Sequence, residues 1–325
     1  MSKKILVTGA GGFIGSHLVE LLLNCNFEIK AFIHYNSRNN WGWLESSNIK
    51  NNIEITVGDI RDYDSVYRSL KGCYSIFHLA ALIGIPYSYI SPKAYIETNI
   101  NGTYNVLQAS KELDLEQVII TSTSETYGTA QYVPIDEKHP LVGQSPYSAT
   151  KIASDQLAIS YFRSFNTPVK IIRPFNTYGP RQSARAIIPT IISQLLFDKD
   201  TLFIGNTTPT RDFTYVKDTC KGFLEIFKSN DLFGEVTNIG MNHEISIKEL
   251  IELIANIMGK SIKIIEQEER IRPKHSEVER LLCNNTKIIT KTKWKPDYNL
   301  ISGIEETINW MRNNIHFYKP TFYNY

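Results

Sequence analysis

The sequence predicts an α/β protein: a doubly wound parallel sheet carrying a smaller C-terminal lobe. Three observations predict it. A short β-rich run, Lys4 to Thr8, opens directly into a glycine-rich turn and then an amphipathic segment. Short apolar runs then alternate with helical patterns, which requires right-handed βαβ crossovers and hence parallel pairing. Beyond about residue 178 the alternation breaks into shorter pieces, the mark of a second, smaller unit.

The turn after the first strand reads Gly9-Ala10-Gly11-Gly12-Phe13-Ile14-Gly15, and Ser16 to Leu23 follows as a helix. Strand, glycine turn and helix in succession make the phosphate-binding arrangement of a Rossmann-type sheet. Gly9 makes the tight turn, Gly12 lets backbone approach a pyrophosphate, and Gly15 lets the helix pack closely on its strand. Gly9, Gly12, Phe13 and Ile14 are therefore candidate cofactor residues, served by the unpaired N–H groups and partial positive charge of the helix start. Phe27 to His34 is the second strand. Its end should meet the adenosine ribose, where a carboxylate would mark NAD; it reads His34-Tyr35-Asn36-Ser37-Arg38 instead. The missing carboxylate and Arg38 lean toward a 2′-phosphate, so Asn36 and Arg38 are candidates and NADP stays open.

Ile53 to Val57 is the third strand, running into Asp59 and Ile60, with Asp59 placed to accept from the adenine amino group. Ser75 to Leu79 is the fourth and continues into Ala80 and Ala81, small enough to lie against a cofactor. Asp64 to Leu70 and Pro92 to Leu113 are crossover helices. The connection from Pro86 to Pro92 follows a strand's carboxyl end and so faces the expected substrate crevice.

Gln117 to Thr121 is the fifth strand, and it feeds Ser122-Thr123-Ser124-Glu125 at the edge where such sheets present chemistry. Tyr147 to Phe165 is a long helix begun by Ser145 as N-cap and Pro146 at the first position. Tyr147 and Lys151 lie one turn apart on one face, so the ammonium can lower the phenol's pKa and make it a usable base. Glu125 adds a carboxylate. Tyr-x-x-x-Lys also occurs at Tyr67 with Lys71 and at Tyr89 with Lys93. The first lies in an early crossover helix, and Pro92 breaks the second. Only Tyr147 and Lys151 follow the serine- and threonine-tipped strand.

Val169 to Arg173 is the sixth strand, and Pro174 to Arg181, including Asn176, leaves the sheet. Arg211 and Arg272 each sit in a loop of the smaller lobe, and arginine forks suit a diphosphate better than lysines do. Phe223 to Phe227 and Val236 to Gly240 return to the first domain. The chain thus divides into a dinucleotide-binding unit, 1–178 with about 218–240, and a smaller lobe, 179–217 and 241–315. A tail, 316–325, is aromatic and has no functional assignment.

Charged residues at 21% and hydrophobic ones at 42% are ordinary for a soluble globular protein, and a net charge of +2 gives no sign of a nucleic-acid or membrane surface. Cys25, Cys73, Cys220 and Cys283 are widely spaced, which argues against a metal cluster and a disulfide framework. Glycines interrupt the first apolar run, so no signal segment is expected there and the protein is read as cytoplasmic.

Gly9 to Gly15, His78-Leu79-Ala80-Ala81, Thr123 with Tyr147 and Lys151, and Arg173-Pro174-Phe175-Asn176-Thr177-Tyr178-Gly179-Pro180-Arg181 resemble extended short-chain dehydrogenase/reductases acting on nucleotide sugars. More narrowly, Trp41-Gly42-Trp43-Leu44, Ile85 to Tyr89, Tyr127 to Pro134 and Arg181 to Ala186 look like the LegB-type 4,6-dehydratases of nonulosonic acid pathways. That resemblance implies NAD, tightly bound and recycled, a UDP- or GDP-N-acetylglucosamine substrate contacting Pro86, Thr123, Asn176, Arg211 and Arg272, and a homodimer through two helices of each subunit. It implies that Tyr147 takes the proton of the sugar 4-hydroxyl while hydride leaves C4, Thr123 holds that hydroxyl, and Glu125 removes the C5 proton as the 6-hydroxyl departs.

Many such dehydratases carry Thr-Asp-Glu where this chain has Thr123-Ser124-Glu125. Serine is no strong acid at neutral pH, though it can relay a proton or hold a water. The serine form also occurs in decarboxylases. A C5-epimerising or 5,6-ene-processing enzyme, a 4-epimerase and a uronate decarboxylase therefore stay open. So does a non-enzymatic cofactor sensor, which has no need of Glu125, Tyr147 and Lys151 together.

Overall fold

The computed structural model describes residues 3–197 and 201–319. Its first strands are β1 (Lys4–Thr8), β2 (Glu28–His34), β3 (Glu54–Gly58), β4 (Ser75–His78), β5 (Gln117–Thr121) and β6 (Val169–Pro174). Then follow β7 (Asn176–Tyr178), β8 (Thr201–Ile204), β9 (Thr210–Tyr215), β10 (Val236–Ile239), β11 (Glu244–Ser246) and β12 (Lys263–Glu266). Seven of them form one parallel sheet in the order β10-β6-β5-β4-β1-β2-β3. The order reverses at β1, which pairs with β2 on one side and with β4 on the other. A crevice opens at the carboxyl ends of strands at such a reversal.

Burial on both faces explains why the strands read as continuous apolar runs. Ile5 and Val7 pack to one side and Leu6 to the other; Ile119 and its neighbours Val118 and Ile120 divide the same way. On the first face lie α1 (Phe13–Asn24) and, later in the chain, the helix Val216–Lys228. On the second lie α2 (Tyr63–Leu70) and the helices Gly102–Glu112 and Pro146–Phe165.

The connection after β4 is itself helical: α3 (Ile85–Ile90) contains Pro86, and α4 (Pro92–Tyr95) follows after a break at Ser91, whose φ of −132° and ψ of 61° stop the helix. That break separates Tyr89 from Lys93, as the proline predicts. From α4 the chain runs through a π-helical stretch, Ile96–Asn101, into α5 (Gly102–Glu112). The wide turn carries Asn99, whose amide nitrogen donates to the Leu82 carbonyl and to Thr150 Oγ1, each at 3.0 Å.

The long helix α6 (Pro146–Phe165) starts as its sequence requires. Ser145 caps it through a reciprocal pair with Ser148, and Asn166 ends it in the left-handed region at φ 56°. The smaller lobe holds a three-stranded sheet, β11-β9-β7, and a two-stranded one, β12-β8. No helix among the described residues is long and apolar enough to cross a membrane. The four cysteines are free thiols.

Candidate active site

The glycine turn is a cradle that larger residues would fill. Gly9 sits at φ +67°, and a Cβ there would meet Ala80 N at 2.9 Å. A Cβ on Gly15 would lie 2.1 Å from Gly9 O, so α1 rests directly on the turn. Gly12 is the N-cap of α1 and no side chain caps it, which leaves the N–H groups of Phe13 and Ile14 facing the crevice. Thr8 ties the far wall down: its hydroxyl accepts from the amides of Leu79 and Ala80, both at 3.1 Å, and meets His78 Nδ1 at 2.8 Å. With its lone pairs used, Thr8 donates to Nδ1, so His78 carries its proton on Nε2 toward Thr103 Oγ1. Burial holds this histidine near a pKa of about 3, with Lys151 adding to the effect.

These features fit a dinucleotide pyrophosphate. The other candidates at the adenosine end are disposed differently. Asn36 is committed to its own loop, donating to the carbonyls of His34 and Asn40 at 3.3 and 2.8 Å. Arg38 is exposed and makes no hydrogen bond or ion pair among the described residues. Asp59 is gripped by Arg61, which holds its carboxyl below the usual range, and it borders an open recess with Asp62, Glu97 and Asn101. The Ile60 side chain, in the turn after β3, is buried in the cluster that holds Val66 and Val106, and its carbonyl accepts from Asn105 Nδ2 at 2.9 Å. Trp41–Trp43 also reach the glycine turn, a placement no local pattern announces: Gly42 at φ +66° packs against Gly11, and Trp43 N donates to Gly11 O at 2.9 Å. Trp43 is held in turn by Trp310 and by Phe317, whose ring centroids lie 5.4 and 4.9 Å away. Part of the aromatic tail therefore braces the glycine turn; residues 320–325 lie outside the described residues.

The catalytic candidates meet at the carboxyl edge of β5. Thr123 caps a short turn, Ser124–Tyr127, its hydroxyl accepting from Glu125 N at 3.3 Å. The Thr123 side chain also acts on the Tyr147 phenol, favouring its ionised form. Ser124 is buried at 3% exposure. The Glu125 carboxylate accepts no hydrogen bond among the described residues, yet its charge acts on both Tyr147 and Arg211. It therefore links Tyr147 electrostatically to the smaller lobe.

One expectation is corrected. Tyr147 is not acidified in the protein alone: burial pushes its phenol up, Glu125 adds to this, and the Thr123 side chain only partly opposes it. Lys151 spends a hydrogen bond on the Thr121 carbonyl at 2.6 Å, and burial draws its ammonium down to about 8 against the pull of Asp155. In the alternative pairs the lysines are exposed but the tyrosines are half-buried, not surface residues: Lys71 rests over the Tyr67 ring at 5.1 Å, and Lys93 pairs with Glu97 at 3.7 Å while Tyr89 packs beside Ile85 and Tyr95.

Arg211 lies on β9 rather than in a loop, and across the crevice it and the loop residue Arg272 come together, which their separation in sequence did not reveal. Both reach Glu277 Oε1, at 3.3 and 3.5 Å. Burial lowers the Arg211 pKa from its ordinary value, while Glu125 and Glu277 oppose this. Two guanidinium groups sharing one carboxylate leave a surplus positive charge suited to a diphosphate. The loop bearing Arg272 and Glu277 is fastened to the first domain, since Ser276 Oγ meets Tyr89 Oη and donates to the Gln144 carbonyl, both at 2.6 Å. Asn176 begins β7, next to β9, with its Oδ1 buried and without a hydrogen-bond partner among the described residues. Pro86 lies in α3 beside Ile85, which packs in one cluster with Tyr95 and Tyr147. Among the described residues no group of three or more His, Cys, Asp or Glu side chains could hold a metal.

Residues 6–307 match the family model described as GDP-mannose 4,6 dehydratase. The chain belongs to this family of extended short-chain dehydrogenase/reductases. Within the family it is 30% identical to the human dTDP-D-glucose 4,6-dehydratase, covering 98% of this chain and 92% of the relative. Among solved structures, DesIV of Streptomyces venezuelae, a dTDP-glucose 4,6-dehydratase with NAD bound, superposes with a TM-score of 0.88 at 28% identity, covering 98% of this chain and 100% of that one. The UDP-glucuronic acid 4-epimerase of Bacillus cereus, in complex with UDP-glucuronic acid and NAD, gives 0.86 at 31% identity and covers 96% of this chain and 99% of that one. Members of the family thus include both dehydratases and epimerases, so the reaction of this chain has to be argued from its own residues.

Proposed function

We propose that the chain is an NAD-dependent nucleotide-sugar 4,6-dehydratase of the LegB type, acting on UDP- or GDP-N-acetylglucosamine to give a 4-keto-6-deoxy sugar. The observation that carries this reading is Glu125. A 4-epimerase needs no carboxylate here, whereas elimination needs a base for the C5 proton next to the C4 machinery. Glu125 is partly buried, free of hydrogen-bond partners among the described residues, and electrostatically linked to Tyr147 on one side and Arg211 on the other.

The cradle of Gly9, Gly12, Phe13 and Ile14, walled by Leu79, Ala80 and Ala81, would hold the cofactor, as in the relatives solved with NAD. When bound, NAD supplies a hydride acceptor at C4 and a hydride donor at C6. The protein does the rest. Thr123 orients the 4-hydroxyl and Tyr147 takes its proton. Since the protein alone holds the phenol high, the charge that lowers it has to come from Lys151 together with the bound cofactor. The 4-ketone acidifies C5, Glu125 removes that proton, and the 6-hydroxyl leaves as water. Ser124, buried beside Glu125, relays or positions the proton delivered to the departing oxygen. Arg211, Arg272 and Asn176 hold the nucleotide diphosphate and sugar. Exposed Tyr104 on α5 and Phe165 on α6, at 45% and 49%, support a homodimer through those helices.

Ser124 in place of an aspartate favours a second reading, a 4-epimerase or uronate decarboxylase. Incubation of the purified protein with UDP- and GDP-N-acetylglucosamine, and separately with a UDP-linked uronate, separates these. Loss of one water from the product mass supports the dehydratase. Unchanged mass with inverted C4, or loss of carbon dioxide from a uronate only, overturns it.

A further inference from the structure

Tyr147, Lys151 and Asp155 succeed one another at helical spacing along one face of α6. Asp155 is wholly buried, with 0% exposure, and Arg173 beside it has 2%. Its Oδ2 is crowded: Ser122 Oγ donates at 2.7 Å, Arg173 Nε at 3.0 Å and Arg173 Nη2 at 2.8 Å. Its Oδ1 is buried and accepts nothing from the described residues. A pair built only for packing would spread the guanidinium fork over both oxygens. Here both guanidinium donors converge on one.

Lys151 has the complementary deficit. Its ammonium carries three donors and gives one to the Thr121 carbonyl. A buried acceptor without a donor and a buried ammonium with donors to spare thus stand one turn apart. We infer that Asp155 is a positioning residue for Lys151: its open Oδ1 supplies the counter-charge that keeps the ammonium ionised and aimed, while Ser122 and Arg173 hold the carboxylate still. The inference rests on the hydride-transfer role proposed above for Tyr147 and Lys151.

The other groups facing Lys151 cannot substitute. Tyr147 on the same helix is held protonated by burial. His78 of β4 is neutral, and Thr121 of β5 offers only a carbonyl. Arg173 of β6 is engaged by Asp155 and by the Tyr127 ring, 4.9 Å from its guanidinium carbon. Against burial, Asp155 is the charge acting to keep Lys151 protonated.

The test follows the Lys151 titration by NMR of ¹³Cε-labelled lysine in the full chain, the resonance being assigned by its loss in Lys151→Arg. The wild-type inflection is expected at about 8. In Asp155→Asn it is expected to move down by roughly one pH unit, the scale of a lost close counter-charge. That variant leaves Arg173 buried and unpaired, so Asp155→Asn/Arg173→Met, which strands no charge, is measured beside it. A downward shift in the double variant supports the inference; a wild-type inflection in the folded double variant overturns it. No sugar is added, so failure of the dehydratase reading in the product-mass assay and failure here are separate results.

Discussion

Replacing Gly15 by alanine should cost the protein its cofactor before it costs the fold. The new Cβ would lie 2.1 Å from Gly9 O, 2.8 Å from Gly9 C and 3.0 Å from Ala10 Cα. Nonbonded heavy atoms settle near ~3.5 Å, so the start of α1 has to withdraw by more than about 1 Å. The obstruction is backbone, which cannot rotate aside as a side chain would. Overpacking of this kind costs roughly 1–3 kcal/mol of stability. The larger effect is on the ligand, because the Phe13 and Ile14 N–H groups move with the helix. Charge-assisted hydrogen bonds are worth about 1.5–3 kcal/mol each, so losing their alignment should weaken NAD by about 3 kcal/mol, on the order of 100-fold in Kd. Isothermal titration with NAD, with circular dichroism to confirm folding, measures both. A folded Gly15→Ala protein that binds NAD within about twofold of wild type would refute the close-approach argument.

Glu125→Gln should stall after oxidation, with reduced cofactor accumulating at its near-ultraviolet absorbance; normal turnover would remove Glu125 from the mechanism. Arg211→Ala should weaken inhibition by free nucleoside diphosphate about 10- to 100-fold, the loss of one charge-assisted contact, while NAD binding stays unchanged. Acid should destabilise the fold through two buried imidazoles, His78 held near about 3 and His17 near about 4, chiefly by burial. Unfolded histidines protonate near pH ~6.5 and these do not, so the unfolded state gains protons and stability falls as pH drops from about 6.5 toward 4. Urea midpoints at pH 7 and pH 5 should show this drop in wild type and a smaller one in His78→Gln.

The sequence announced the sheet because its strands are buried on both faces and each is followed by a helical period. The glycine turn was legible for a similar local reason: Gly12 and Gly15 answer to contacts with Gly9 and Ala10, and Gly9 to its own φ of +67°, although the wall it meets, Leu79 and Ala80, is distant in sequence. What escaped was non-local. The π-helical stretch around Asn99 has no residue signature, since its cause is the pull of Leu82 and Thr150 from elsewhere in the chain. Arg211 and Arg272 were visible singly, but Glu277 between them appears only when the lobe closes its loops. Asp155 could have been found, being one further turn along the face of Tyr147 and Lys151.

The central claim is that hydride leaves C4, returns to C6, and is separated by a proton loss at C5. The most direct measurement follows a deuterium placed at C4 of UDP-N-acetylglucosamine, or of its GDP counterpart, through one turnover. A dehydratase built as described delivers that label to C6 of a product lighter by one water. Label retained at C4 in a product of unchanged mass would contradict it.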